Sequence, residues 1–150
     1  MSPSNVPSLN RSIHKTQLWL KELTDHGHLD NEQQAYSVLR AVLHALRDRL
    51  TIDEAANFAA QLPMIIRGVY YEGWRPSAAP IKYKDRSEFY ERIRHELRDN
   101  AAVDVAHATD GVFALLSAKI TAGEMANLRE MMPADLRLLW PQQTTQTAPS

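Results

Sequence analysis

Apolar residues recur at intervals of three and four positions along most of the chain, which is the spacing of one face of a helix. The clearest stripe lies in a segment from about residue 31 to residue 49 and comprises Ala35, Leu39, Val42, Leu43, Leu46 and Leu50. Only five glycines are present and β-branched residues are scattered, so no segment shows the alternating pattern of a strand. The pattern predicts an all-α protein with about two thirds of its residues in helices.

Helix starts are marked by capping boxes, in which a polar side chain and a Glu or Gln three residues later bond the free amides of the first turn. Four boxes are present, at Asp30/Gln33, Thr51/Glu54, Asp85/Glu88 and Thr121/Glu124. Other helices are indicated by apolar stripes or by a first-turn proline. Their markers are Ile13 to Leu23, Pro63, Val105 to Ile120, and Pro133. Eight helices are therefore predicted.

Residues 50–70 match residues 120–140 at a constant offset of 70 positions. The identical pairs are Thr51/Thr121, Glu54/Glu124, Ala56/Ala126, Asn57/Asn127, Pro63/Pro133 and Arg67/Arg137. Apolar positions also correspond, among them Leu46 with Leu116. We expect two tandem, similar four-helix units packed into one compact helical body, each unit with two long helices followed by two short ones.

The predicted organisation follows from this repeat and from the composition of the two ends. Its segments are a disordered tail at 1–8, helical repeat one at 9–76, a packed connector at 77–84, helical repeat two at 85–141 and a disordered tail at 142–150. The tails are rich in Ser, Pro, Gln and Thr and lack apolar periodicity, which is typical of disordered ends.

The region that joins the repeats is unusually aromatic. Tyr71, Trp74 and Tyr83 do not suit a flexible linker, so we expect this region to pack on the helices. The three aromatic residues have no counterpart in repeat two. Together with Arg75 they form either the joint between the repeats or an exposed surface for a partner. The joint is favoured, because Gly73 lets the chain turn back sharply.

Composition and charge exclude several functions. Hydrophobic residues make up 44% and charged residues 23%, as in a soluble globular protein. Seventeen basic and eighteen acidic residues give a net charge of −1, so we expect neither nucleic acid nor a membrane as a partner. The absence of cysteine excludes disulfides and thiolate metal sites. The first residues lack an apolar leader, so a cytoplasmic location is expected, while the oligomeric state is left open.

The sequence carries few candidates for chemistry. Two acids crowd the loop that contains His26 and His28, which makes these histidines weak candidates for a metal site. A turn at the end of the first helix, with Gly27 near the C-cap, explains the same loop, so we expect no metal. The sequence contains neither a Gly-x-Ser-x-Gly motif nor a Gly-rich phosphate loop. No catalytic residue and no cofactor are predicted.

Two duplicated arginines, Arg67 and Arg137, are candidate anion anchors, because a guanidinium group binds oxyanions well. The alternative is a structural ion pair, for which Asp53, Glu54 and Glu124 are the candidate carboxylates. This alternative is favoured. Glu54 and Glu124 are themselves interpreted as capping residues rather than as catalytic carboxylates.

The string AYSVLRAVLHALRDRLTIDEAANFAAQLPMIIRGVYYEGWRP closely resembles the bacterial family known as domain of unknown function 2267. Its most specific pieces are RDRLT, AAQLP and YYEGW, and the resemblance continues through DRSEF into a weaker second half. The resemblance implies a compact, all-helical bacterial protein with an internal duplication. It brings no catalytic or ligand-binding residues that can be carried over to this chain.

The absence of a catalytic motif favours a non-enzymatic protein-interaction or scaffold module. Methionines clustered around the short helices would suit an adaptable partner surface; they are Met64, Met125, Met131 and Met132. The alternative is a small-ligand or metal-binding protein that uses the groove between the two repeats, and an enzyme is included in that alternative.

Overall fold

The computed structural model describes residues 4–100 and 102–141. Its α-helices are α1 (Pro7–His26), α2 (Glu32–Arg49), α3 (Ile52–Ala59), α4 (Met64–Tyr71), α5 (Arg86–Glu96), α6 (Val105–Lys119), α7 (Ala122–Glu130) and α8 (Ala134–Arg137). Two 3₁₀ turns lie at Pro76–Ala78 and Arg98–Asn100. Helices cover 72% of the described residues, which contain no strand, so the all-α prediction is confirmed.

The two predicted tails fall largely outside the described residues, which exclude 1–3 and 142–150. The boundary at residue 8 was wrong, because α1 already begins at Pro7. Proline suits the first position of a helix, and the Asn10 side chain accepts a hydrogen bond from the Ser4 amide at 2.9 Å. Among the described residues, no helix is both long enough and apolar enough to cross a membrane.

The four long helices form one bundle. Within it, α2 lies between α1 and α5, while α6 closes the ring by packing against α5 and α1. The short helix α4 covers α1 and α2, and α7 and α8 follow α6. The buried apolar side chains of all these elements belong to one cluster. The two halves of the chain therefore share a single core.

The central helix of the bundle is α2, which packs against α1, α4, α5 and α6. Its segment from residue 41 to residue 47 is buried on every side, as expected for a helix enclosed by others. Leu46 is completely buried, and so is its counterpart Leu116 in α6. Two polar residues, His44 and Arg47, are buried with them, and each needs hydrogen-bond partners inside the protein.

Side-chain caps set most helix starts. Three of the predicted N-caps are confirmed, since each accepts a hydrogen bond from the amide three residues later; they are Thr51, Asp85 and Thr121. The predicted Asp30/Gln33 box was wrong by one residue, because Asn31 caps α2 and accepts from the Gln34 amide. Asn31 has the extended backbone that an N-cap requires (φ −165°, ψ 176°).

Two equivalent hydrogen bonds hold the end of each half of the chain. The Tyr70 hydroxyl donates to the Ala55 carbonyl at 2.8 Å, and Trp140 Nε1 donates to the Met125 carbonyl at 3.0 Å. Donors and acceptors both lie 70 positions apart in the sequence. Tyr70 and Trp140 are both buried. These bonds are what a duplication would produce, and the duplication itself stays a prediction.

Helices α1 and α6 approach each other closely at two glycines. A Cβ placed on Gly111 would lie 2.9 Å from the Cα of Gly27, which is closer than such atoms come in proteins. Because the obstacle is backbone rather than a flexible side chain, any larger residue at position 111 has to push the two helices apart.

We expect Gly111→Ala to lower the free energy of unfolding by about 1–3 kcal/mol, the usual cost of overpacking. The matched control is Gly123→Ala in α7, where a Cβ would meet no atom within 4 Å. There the better helix propensity of alanine should leave stability unchanged or raise it by up to about 1 kcal/mol. Urea unfolding of both variants tests this, and equal midpoints would show that the helices do not meet at Gly111.

Candidate functional site

The aromatic residues of the connector region lie against the helical body. Tyr83 is only 5% exposed, and its hydroxyl donates to the Ala45 carbonyl of α2. Tyr71 and Trp74 pack side by side on the core with ring centroids 5.4 Å apart. Of the four residues predicted to form a joint or a partner surface, only Arg75 is exposed. This packing is the arrangement that a joint requires.

The connector backbone is held mainly by α2. The Ile81 amide donates to the Asp48 carbonyl at 2.7 Å, and Arg49 Nε donates to the Tyr83 carbonyl at 2.9 Å. The guanidinium groups of Arg49 and Arg92 lie 6.0 and 5.7 Å from the centroid of the Tyr83 ring. At the other end, Gly73 has a φ of 73°, a conformation that glycine adopts without strain. The chain can therefore turn back across α2 as soon as α4 ends.

A buried polar network on α2 holds the end of α4. His44 Nε2 lies 2.7 Å from the Val69 carbonyl oxygen, and Nδ1 lies 3.0 Å from the Glu96 carboxylate. A carbonyl can only accept, so Nε2 carries a proton. A carboxylate also accepts, so each ring nitrogen faces an acceptor oxygen. These two contacts of His44 connect α2 to α4 and to α5.

Glu96 receives further support from Arg40, which binds this carboxylate and also bonds Glu72 at 2.9 Å. Burial alone would raise the pKa of Glu96. The hydrogen bond from His44, together with the charges of His44, Arg40 and Arg47, outweighs burial and holds that pKa below its ordinary value. The carboxylate is therefore the anionic centre of this network.

The network is not duplicated, although it joins α2 of the first half to Glu96 of the second. At the offset of 70 its α2 residues correspond to residues that cannot replace them: Arg40 to Asp110, His44 to Ala114, Arg47 to Ser117 and Asp48 to Ala118. The apolar pattern of the helices does not mark these polar residues. The mismatch between halves was the signal in the sequence.

The two duplicated arginines bond to backbone rather than to carboxylates. The Nε and Nη2 groups of each donate to carbonyl oxygens near the end of the preceding short helix. The acceptors are Ala59 and Leu62 for Arg67, and Met132 and Glu130 for Arg137. The expected ion pairs with Asp53, Glu54 or Glu124 were therefore wrong, because the last carbonyls of a helix lack intrahelical partners and attract cations. Anion binding by Arg67 and Arg137 stays a prediction.

The two histidines proposed as weak metal candidates lie apart. His26 is exposed in the last turn of α1. His28 follows with a φ of 52°, and its ring centroid lies 4.7 Å from that of His107 in α6. Within 4–100 and 102–141, no group of three or more histidine or acidic side chains is placed to hold a metal ion.

An exposed apolar surface lies at the beginning of α1. No side chain between residues 7 and 18 is buried. A concave groove of about 550 Å³, which we name the α1 groove, separates this half-helix from the start of α4. Its apolar lining includes Leu18 and Met64, which are 44% and 50% exposed. Its cationic lining is Arg11 and Lys15, and His14 lies between them in the sequence.

Two features of the sequence conceal the α1 groove. Residues 1–8 have the composition of a tail, and Ile13 lies in an apolar stripe that predicts burial, whereas this side chain is 38% exposed. A signal was nevertheless present, since Arg11, Lys15 and Lys21 all precede the first acidic residue of the chain, Glu22. A basic half-helix with exposed apolar residues is typical of a docking element.

The family described as "Uncharacterized conserved protein (DUF2267)" matches residues 16–139. The chain belongs to this family. The DUF2267 match includes α2 to α8 and the whole connector, whereas Arg11 and Lys15 lie before it. No curated protein matches the chain.

The lowered pKa of Glu96 predicts how the stability of the fold changes at acidic pH. A carboxyl whose pKa is lower in the folded protein stabilises the fold above its unfolded pKa, and this contribution is lost as the pH falls through the folded value. Glu96→Gln should therefore reduce stability at neutral pH and flatten the decline in acid. Urea midpoints measured from neutral to acidic pH test this, with the exposed Glu91→Gln of the same helix as control. Parallel curves for wild type and Glu96→Gln would contradict it.

The packing of Trp74 makes a second prediction. Because its ring is partly buried against the core, Trp74→Ala should lower the free energy of unfolding by about 2–3 kcal/mol, less than for a fully buried tryptophan. The neighbouring exposed Arg75→Ala should have little effect. An unchanged urea midpoint for Trp74→Ala would show that the ring does not join the halves.

Proposed function

We propose that this DUF2267 protein is a non-enzymatic protein-interaction module that docks a partner in the α1 groove. The single observation that supports it is the exposed apolar and cationic surface where α1 passes the start of α4. The sequence predicted a partner surface or a joint at the connector, and packing of the connector aromatics leaves little apolar area exposed there. The α1 groove is then the better location for a partner.

The partner we propose is an acidic protein segment that carries apolar anchors. Leu18, Pro63 and Met64 supply an apolar lining, and Arg11 and Lys15 supply positive charge beside it. No acidic side chain lines the groove, so carboxylates on the partner would be paired rather than repelled. A concave surface also favours inserted side chains over a flat bilayer. The expected cytoplasmic location and the expected absence of nucleic-acid and membrane partners agree with this proposal.

The buried polar groups support a non-enzymatic role. His44 is the one buried histidine of the described residues, and both of its ring nitrogens are bonded to protein oxygens. It therefore has no free nitrogen for proton transfer to a substrate. The arginines of the network are likewise bonded to carbonyls and carboxylates that hold elements of the fold together.

The α1 groove is tested by affinity capture from a lysate of the source organism. Three forms of the full chain are compared: wild type, Arg11→Glu with Lys15→Glu, and a control with Lys82→Glu and Arg94→Glu. The control reverses two equally exposed cations on other elements. Wild type and control should retain the same stoichiometric protein, and the α1 variant should lose it because its charge repels an acidic partner.

Four results would contradict the proposal. Retention of the captured protein by the α1 variant, or its equal loss from the control, would place binding elsewhere. Self-association of the purified chain that depends on Arg11 and Lys15, measured by light scattering, would make the occupant a second copy. Binding to anionic phospholipid vesicles that the α1 variant loses would make the occupant a lipid surface.

A further inference from the structure

A second feature, independent of the α1 groove, lies under the connector. A cavity of about 190 Å³ separates α2 from α5, and residues 73–81 of the connector region close it on the third side. Its lining comprises Arg47, Asp48, Gly73, Arg75, Ala78, Ala79, Ile81 and Arg92. The cavity thus lies between the two predicted repeats, where three elements of the chain meet.

The charge of the cavity is strongly positive. Three guanidinium groups line it, one each from α2, the connector region and α5, against the single carboxylate of Asp48. That carboxylate accepts from Arg47 Nε at 2.8 Å and from Arg92 Nη2 at 2.6 Å. Asp48 therefore orients two arginines from opposite walls and neutralises only one of three positive charges.

Several donors around the cavity have no acceptor among the described residues. Arg47 directs Nη1 to the carbonyls of Tyr70 and Glu72, while its Nη2 has no protein partner. Arg75 makes no hydrogen bond to the described part of the chain, and Arg92 Nε is buried without one. Trp74 Nε1 is also buried and unpartnered, although Trp74 is not part of the cavity lining. Buried donors are seldom left unpaired in proteins, so Arg92 Nε in the cavity wall calls for an acceptor.

The corresponding seam on the other side of the bundle lacks this charge. At the offset of 70, Arg92 corresponds to Glu22 in α1, and Arg47 corresponds to Ser117 in α6. The α1/α6 seam is closed by an ordinary neutral pair, in which Lys119 Nζ lies 2.6 Å from the Glu22 carboxylate. The bundle does not need an arginine cluster to join two long helices, so the α2/α5 cluster leaves room for a second task beside the bonds that Arg47 makes to the end of α4.

We propose that this cavity binds a phosphate group, either as inorganic phosphate or as the terminal group of a phosphomonoester. Two uncompensated positive charges match the phosphate dianion, which carries about −1.5 to −2 at neutral pH. Guanidinium groups bind its oxygens through paired hydrogen bonds. The volume is below the range of about 300–1,000 Å³ for drug-sized ligands, which suits one compact group. Arg75, exposed beside the connector, meets whatever part of the ligand leaves the cavity.

The test is calorimetric titration of the full chain with inorganic phosphate at neutral pH and low ionic strength. Arg92→Gln should weaken binding by about tenfold or more, since it removes a charged donor from the cavity wall. Arg75→Gln should weaken binding with no effect on stability, because Arg75 makes no bond to the described protein. The control is Arg94→Gln, an exposed arginine two residues along α5 that pairs with Glu91 and should bind phosphate as wild type does.

If Arg92→Gln does not fold, Arg75→Gln and Arg94→Gln still decide the question. Absence of phosphate binding by wild type, or equal binding by Arg75→Gln and wild type, would overturn the proposal. Acetate binding as tightly as phosphate would overturn the assignment to a dianion. Titration with methyl phosphate and glycerol 3-phosphate then separates the two sources, since a phosphomonoester should bind more tightly only if its remainder contacts Arg75.

Discussion

Burial of the Arg47 guanidinium group is the interaction on which the arrangement of the two halves depends. The residue is only 4% exposed, and a charge in that position destabilises the fold unless its donors are satisfied. Its Nη1 group bonds the carbonyls of Tyr70 and Glu72, where α4 ends. The last carbonyls of a helix have no partners of their own, so the cation and the helix end satisfy each other. This fixes the point from which the chain leaves α4.

The path of the connector follows from that point. Gly73 turns the chain, the Ile81 amide bonds back to the Asp48 carbonyl, and the Tyr83 hydroxyl reaches the Ala45 carbonyl. Both hydrogen bonds return the chain to α2. Because α5 begins only three residues after Tyr83, its position against α2 is set as well. Polar contacts thus define how α4, the connector and α5 lie on α2, and the apolar side chains of these elements pack within that arrangement.

The sequence predicted most of what is local and little of what joins distant segments. The apolar stripe of α2 and the caps at Thr51, Asp85 and Thr121 depend on neighbours a few residues away, so their patterns were sufficient. The bond from Arg47 to Tyr70 spans 23 residues and depends on how α2 and α4 lie against each other. No local sequence pattern predicts how these two helices pack. The partners of Arg67 lie only five and eight residues away. They were wrongly expected to be carboxylates for another reason: free carbonyl oxygens at a helix end leave no mark in the pattern of side chains.

The prediction that the beginning of α1 is buried was wrong for a different reason. A stripe through Ile13, Leu20 and Leu23 has the spacing of one helix face, yet Leu23 is fully buried while Ile13 is 38% exposed. Periodicity shows which residues share a helix face, and it does not show where the helix extends beyond its neighbours.

The positions that match between halves and the positions that differ serve separate tasks. Matched residues such as Thr51 and Thr121, or Tyr70 and Trp140, make the same structural bonds in each half. The arginine cavity is built from residues without equivalent partners, and it lies inside the region that DUF2267 matches. The cations of the α1 groove lie before that region. The proposed phosphate site is thus a feature to look for across the family, whereas the proposed docking groove takes its cations from the part of α1 that precedes the match.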